Sequence, residues 1–299
     1  MSRELTILVT GVNGQVGFEL LRSLQGLGRV VSCDRSVLDL SDLDRVRGFV
    51  RDLKPSLIVN PAAYTAVDKA ETDVEAARRL NVDVPRVLAQ EASELGSLLI
   101  HYSTDYVFDG TKPGPYVETD EPNPLNIYGR TKLEGERAIE EVGGKYLIFR
   151  TSWVYGLRGK NFLQTMLRFA REGRKEITVV DDQFGAPTWS RTIAACTAHI
   201  AARYCAGDVD ADWWANRAGV YHLTAGGSTS WFGFARAIFE AANAEALCVE
   251  PTTGERFGAA ARRPANSRLS CEKLEAEFGI RVPAWDKALV VCLEGFEGP

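Results

Sequence analysis

The chain has 299 residues, 45% of them hydrophobic and 25% charged, with a formal net charge of -5. That balance suits a globular protein with a full core, in one large or two smaller domains, and the acidic excess argues against a general nucleic-acid binder. No apolar run approaches the ~20 residues that span a bilayer, and the N-terminus opens on a polar-flanked strand rather than a signal peptide, so a cytoplasmic protein without a membrane partner is expected.

Residues 5–10 (LTILVT) form a short, β-branched apolar run of the kind found in buried parallel strands. It leads directly into Gly11-Val12-Asn13-Gly14-Gln15-Val16-Gly17, and then into an amphipathic helix with Phe18, Leu20, Leu21 and Leu24 on its apolar side. Strand, glycine turn and helix in that order point to a dinucleotide-binding loop. Gly11 allows the tight turn, Gly14 lets backbone approach a pyrophosphate, and Gly17 lets the helix pack on the strand. The helix N-terminus offers N–H donors and a positive dipole end to the phosphates.

A second strand at 29–33 ends at Asp34, 17 residues after Gly17. An acid there can accept from the adenosine ribose hydroxyls, which favours NADH, whereas Arg35 can meet a 2′-phosphate, which favours NADPH. The choice stays open. Asp39-Leu40 suits either an adenine contact or the N-cap region of the next helix. Residues 57–60 read as a third strand, ending in Pro61-Ala62-Ala63-Tyr64-Thr65, where small side chains leave room for a flat ligand. Residues 97–102 read as a further strand that ends in Ser103-Thr104-Asp105. Alternating strands and helices predict an α/β, Rossmann-type doubly wound parallel sheet, with ligands beyond the carboxyl ends of its strands.

A helix follows that carries Tyr128-Gly129-Arg130-Thr131-Lys132. At i and i+4, Tyr128 and Lys132 share one face, and an ammonium near a phenol is expected to lower the tyrosine pKa from about 10. A tyrosine tuned in that way exchanges a proton with a carbonyl or hydroxyl. The same spacing also arises by chance on solvated helices, so its meaning depends on the cofactor loop upstream.

From about Trp153 the alternation becomes less regular, and aromatic stretches appear at 212–214 (DWW) and 230–232 (SWF). The expected organisation is a dinucleotide-binding domain over 1–152 and a smaller substrate-binding lobe over 153–299, with some segments returning to the first domain. Trp153 suits a wall against a sugar or a core position. Arg262, Arg263 and Arg268 suit phosphate oxygens or a solvated surface. Residues 208–212 (DVDAD) read as an acidic surface loop, not a metal site. The six cysteines (Cys33, Cys196, Cys205, Cys248, Cys271, Cys292) and three histidines (His101, His199, His222) have no metal-ligand or dithiol spacing. They are expected to be buried or satisfied single residues, and no metal is expected.

Residues 103–110 (STDYVFDG) followed by 124–132 (PLNIYGRTK) resemble the dTDP-4-dehydrorhamnose reductase family of extended short-chain dehydrogenases. So do 65–71 (TAVDKAE), 150–156 (RTSWVYG), 182–188 (DQFGAPT) and 262–269 (RRPANSRL). The later motifs are the more specific ones. The resemblance implies reduction of the C4 ketone of dTDP-4-dehydro-L-rhamnose by NADPH or NADH, giving dTDP-L-rhamnose. It places the catalytic residues at Thr104, Tyr128 and Lys132, and substrate contacts at Thr104, Asp105, Tyr128 and Trp153, with Val67 nearby. Two other readings remain: a reductase giving the talose epimer, and a non-catalytic NADP-binding regulatory subunit, as in one relative of the family. The intact Thr104, Tyr128 and Lys132 argue against the latter. Some members share a magnesium ion between subunits through glutamates at positions matching Glu19, Arg191 and Glu294. Arginine cannot replace a carboxylate ligand, so a monomer or homodimer without that magnesium link is expected. Pro61, where relatives carry alanine, stiffens its loop.

Overall fold

The computed structural model describes residues 5–207, 211–244 and 247–294. Strand β1 (Thr6–Val9) runs through the glycine turn into helix α1 (Gln15–Ser23), then β2 (Arg29–Ser32), helix α2 (Leu43–Leu53) and β3 (Leu57–Asn60). Helix Val84–Leu95 leads to β4 (Leu98–Thr104), and helix Ile127–Val142 leads to β5 (Lys145–Thr151). These five strands and strand Gly219–His222 form one six-stranded sheet in the order (219–222)–β5–β4–β3–β1–β2. Every pairing in it is parallel. The chain steps from β1 to β2 on one side and then crosses to β3 on the other. The carboxyl ends of β1 and β3 therefore flank a topological switch point, where a crevice opens.

Strand residues alternate between two apolar layers, as a period of two requires. Ile7, Val9, Leu57, Val59, Leu98, Ile100, Leu147 and Phe149 pack with Leu20 and Leu24 from α1, and with Ile193 and Ile200 from helix Ser190–Ala206. Leu8, Ile58, Leu99 and Ile148 face the other way, onto Val46 and Val50 of α2 and onto Val84, Leu88 and Ile139. Helices thus cover both faces of the sheet.

A second core gathers helices Phe162–Arg171, Trp231–Ala241 and Trp285–Leu293 around a two-stranded parallel pair, Glu176–Val180 with Cys248–Thr252. Tyr155, Leu163, Leu167, Phe234, Ile238 and Leu289 fill it. Two sequence expectations need correction here. Trp213 and Trp214 do not mark the second core. They pack with Phe278 and Tyr204 into the layer under the large sheet. Residues 208–210 lie outside the described residues, and Asp212 stands in a short helix, Ala211–Ala215, not in a loop.

Candidate functional site

The glycine turn has the geometry that its spacing calls for. Gly11 adopts φ +56, and a Cβ there would lie 2.8 Å from Ala62 Cα at the end of β3. A Cβ on Gly17 would sit 2.3 Å from the Gly11 carbonyl oxygen, so only glycine lets α1 start this close to the strand. Gly14 is the N-cap of α1, and no side chain caps that end. The first N–H groups of the helix are left for a ligand, and an anion is the ligand they favour.

A crevice of about 940 Å³ opens at this point. Every residue that the sequence assigned to the cofactor lines it: Gly11, Asn13, Gly14, Gln15, Val16, Gly17, Asp34, Arg35, Asp39, Leu40, Ala62, Ala63, Tyr64, Thr65, Tyr128 and Lys132. At one end, Asp34 Oδ1 accepts from Ser36 N (2.9 Å) and Ser36 Oγ (2.6 Å). These bonds, with others from Val37 N and the Asn13 side chain, hold its carboxyl below the usual range. Arg35 is exposed on the same rim. Asp39 accepts from Ser41 N at 3.0 Å, while the N-cap of α2 is Asp42, so the capping alternative for Asp39 falls away. Arg79, Lys160, Ser103 and Thr151 also line the crevice; Ser103 and Thr151 fall within quoted motifs but were given no role, and no motif marked Arg79 or Lys160. Neither Ser103 Oγ nor Thr151 Oγ1 has a partner though both are buried, and both can meet a polar ring substituent. The uncapped helix end, the two close-packed glycines and these free hydroxyls fit a dinucleotide.

The loop at 62–65 is held by a residue that the sequence did not reveal. Asn81 is fully buried; its Oδ1 accepts from Tyr64 N at 2.8 Å, and its Nδ2 donates to Tyr64 O (3.2 Å) and Thr131 Oγ1 (3.0 Å). It sits in a π-helical turn, Arg79–Asp83, packed on Gly135 of the Tyr128 helix. Such turns often occur at functional sites, but nothing in a local sequence marks them.

At the far end of the crevice, Asn126 caps helix Ile127–Val142 by accepting from Gly129 N at 2.8 Å. Tyr128 stands one turn before Lys132, as the spacing predicted, and its ring meets Tyr106 edge-on at 5.8 Å between centroids. The predicted lowering of the tyrosine pKa does not occur. Burial pushes the Tyr128 phenol up to about 12, opposed by the Thr104 hydroxyl beside it. Lys132 is turned away, with Nζ 2.6 Å from the Tyr102 carbonyl oxygen and 3.2 Å from His101 Nε2. Its own burial lowers it to about 8. Desolvation dominates the phenol, and Lys132, pointed at His101 and Tyr102, is not among the groups that shift it. Thr104 ends β4, opposite Thr151 of β5, and donates to Asp105 Oδ1 at 3.0 Å. Asp105 is buried with Oδ2 unpartnered, and burial raises its carboxyl to about 6.

The remaining predicted substrate residues are grouped unevenly. Val67 opens a short helix whose Asp68 pairs with Arg263 Nη2 at 3.1 Å, and the charges of Asp68 and Arg263 reach Tyr106, next to Tyr128. Trp153 holds a left-handed backbone at φ +47 and stacks on Trp231 at 3.6 Å. That strained conformation in a bulky residue is costly and is typical of functional sites. Arg262 is exposed, and its carbonyl accepts from Asn126 Nδ2 at 2.8 Å. The Arg268 guanidinium donates to Asn266 Oδ1 (2.8 Å) and to the Pro113 carbonyl (2.6 Å), which fixes the loop around 113 and engages Nε and Nη2 within the fold.

A second groove of about 1220 Å³ is lined by Arg191, Glu294 and His199 among others. His199 is exposed there, contrary to expectation, while His101 and His222 are buried and Cys248 donates to Glu250. Among the described residues no three His, Cys, Asp or Glu side chains are placed to hold a metal ion.

Fold and site together define an NAD(P)-binding Rossmann-type oxidoreductase of the extended short-chain dehydrogenase class. A family profile described as the RmlD substrate binding domain matches residues 5–297. The chain is 50% identical to the dTDP-4-dehydrorhamnose reductase of Burkholderia thailandensis, over 97% of this chain and 98% of that protein. It is 45% identical to that of Escherichia coli K12, over 94% of each. A crystal structure of the Bacillus anthracis dTDP-4-dehydrorhamnose reductase in complex with NADP superposes with a TM-score of 0.88 at 36% identity, covering 98% of this chain and 100% of that one. The chain belongs to the dTDP-4-dehydrorhamnose reductase family.

Proposed function

We propose that this protein reduces the C4 ketone of dTDP-4-dehydro-L-rhamnose to dTDP-L-rhamnose, using NADPH or NADH. The observation that carries the reading is the joining of a glycine-turn crevice to Tyr128, Thr104 and Lys132 at its far end. The nicotinamide supplies a hydride to C4 when it is bound. Tyr128 gives its phenolic proton to the ketone oxygen, where negative charge develops. A phenol raised to about 12 stays fully protonated at neutral pH and is a better match to an alkoxide than an ordinary tyrosine. Thr104 holds the Tyr128 hydroxyl in place and can turn its own proton to the same oxygen. Lys132, which lines the same crevice, would hold the nicotinamide ribose and would help to offset the phenolate charge. Asp105 Oδ2, buried and unpartnered, accepts a sugar hydroxyl. Trp153 packs on the sugar, and Arg262 and Arg263 stand for the diphosphate.

Arg191 stands where a carboxylate would be needed for a magnesium-bridged dimer, so this chain assembles, if at all, without that ion. The test of function is NADPH oxidation with dTDP-4-dehydro-L-rhamnose, followed by NMR of the product. Absence of oxidation sinks the reading, and a talose configuration at C4 replaces it with the epimeric reductase.

A further inference from the structure

Behind Lys132 lies a buried polar chain that the reaction as described does not use. Thr10 Oγ1 donates to Asn60 Oδ1 at 2.6 Å, and Asn60 Nδ2 is 3.1 Å from His101 Nδ1. His101 Nε2 is in turn 3.2 Å from Lys132 Nζ. Thr10, Asn60 and His101 are fully buried and Lys132 nearly so; Thr10 follows β1, Asn60 ends β3, His101 lies mid-way along β4 and Lys132 is in the helix Ile127–Val142. Burial and the adjacent Lys132 charge hold the His101 ring neutral, well below the usual imidazole range. A neutral imidazole has one donor and one acceptor nitrogen.

That rule makes the chain a two-state device. With Asn60 Nδ2 facing Nδ1, the ring proton must be on Nε2, pointing at Lys132. Nζ must then offer a lone pair, so Lys132 is a neutral amine. When Lys132 is an ammonium it can only donate, so Nε2 must accept and the proton must move to Nδ1. The Nδ1 proton then has two acceptors at Asn60: the backbone carbonyl, already within hydrogen-bond reach of the ring, and the side-chain oxygen once the amide turns its Nδ2 to Thr10. The other groups facing Lys132 leave this logic intact. Tyr102 offers a carbonyl, and Tyr128 a protonated phenol one turn away. Glu136, one turn on, favours the ammonium, but its carboxylate is held by Arg150 of β5 at 2.6 and 3.0 Å.

We propose that His101 is a positioning residue for Lys132, its ring tautomer set jointly with the Asn60 amide so that the buried lysine can exist as an ammonium before the proton transfer and as an amine after it. The proposal rests on Tyr128 being the proton donor. After Tyr128 has given its proton to the ketone oxygen, the phenolate regains one through intervening water, at the expense of the Lys132 ammonium. A phenol and a neutral amine result. The ring keeps a single proton throughout, and water returns one to Nζ for the next turnover. A carboxylate in place of His101 would lock the ammonium, and an apolar residue would disfavour it. Burial already brings Lys132 to about 8, close to the range where both forms are populated.

The direct test is nitrogen-15 NMR of the imidazoles in the wild-type protein from about pH 6 to about pH 10. Only three histidines need assignment. The expected result is the Nδ1–H tautomer of His101 at the low end and the Nε2–H tautomer at the high end, crossing where turnover falls. A single tautomer across the range overturns the proposal, whether or not the sugar substrate is the right one. In parallel, His101→Phe should move the basic limb of the kcat profile down by about one pH unit, because the ammonium loses an acceptor. His101→Gln keeps an acceptor for Nζ and should leave the limb in place. Equal loss of kcat in both variants, with the limb unmoved, assigns His101 a purely structural role and also overturns it.

Discussion

Asp105→Asn separates what the site costs the fold from what it does for the reaction. Asp105 is buried against Thr104 and Ser267, and burial lifts its carboxyl from 3.8 to about 6 despite hydrogen bonds from both neighbours. At about 1.4 kcal/mol per pH unit, the ionised form costs the fold about 3 kcal/mol. The folded value lies above the unfolded one, so the stability linked to this group is complete below about pH 4 and is lost as pH rises through about 6. Asparagine has nearly the same shape, still accepts from the Thr104 hydroxyl and carries no charge. Urea unfolding at about pH 7 should therefore find the variant more stable by about 3 kcal/mol, with the gap closing as the pH falls toward about 4. Turnover should fall at least ~10-fold, because a charged acceptor for a sugar hydroxyl has been replaced by a weaker one. A variant no more stable than wild type at neutral pH, or a gap that persists into acid, would refute the assignment of a buried carboxylate whose ionised form costs the fold stability.

Three further changes test other links. Tyr128→Phe keeps the edge contact with Tyr106 and removes only the proton, so kcat should drop ~10²–10⁴ with NADPH affinity within about twofold; near-normal turnover would remove Tyr128 as the donor. Gly17→Ala places a methyl 2.3 Å from the Gly11 carbonyl oxygen, which should cost about 1–3 kcal/mol in stability and weaken NADPH binding ~10-fold or more, read by thermal melts and fluorescence titration. Glu136→Gln strands the Arg150 charge, whose Nη1 already lacks a partner, and should destabilise by about 3–5 kcal/mol in urea; a change under about 1 kcal/mol would mean that water reaches the pair.

The parts of the site that were legible before any coordinates are those whose reason is local. Glycines spaced between an apolar strand and an amphipathic helix have one compact arrangement, so Gly11, Gly14 and Gly17 could be assigned roles from spacing alone. Strand ends followed by small or polar residues likewise placed Ala62 and Ala63 at the rim and Thr104 beside Tyr128, because parallel strands all point the same way. The strand containing Thr104 runs two residues further than the apolar pattern suggested, since β5 continues the ladder to Thr151. Asn81 and the Thr10–Asn60–His101 chain gave no signal. Each is an ordinary polar residue whose partners lie 17 to 50 positions away.

The amino-acid sequence by itself determined the layered fold, the dinucleotide loop and the pairing of Tyr128 with Lys132 on one helix face. These follow from periodicity and from steric rules that operate within a few residues. Only the tertiary structure decided how those groups ionise and which partners the arginines take. It desolvates the Tyr128 phenol so that its pKa rises, turns Lys132 toward His101, and ties Arg268 to a neighbouring loop and Arg263 to Asp68. Burial and hydrogen-bond partners are set by segments far apart in the chain, and the free energy of a charge depends on both.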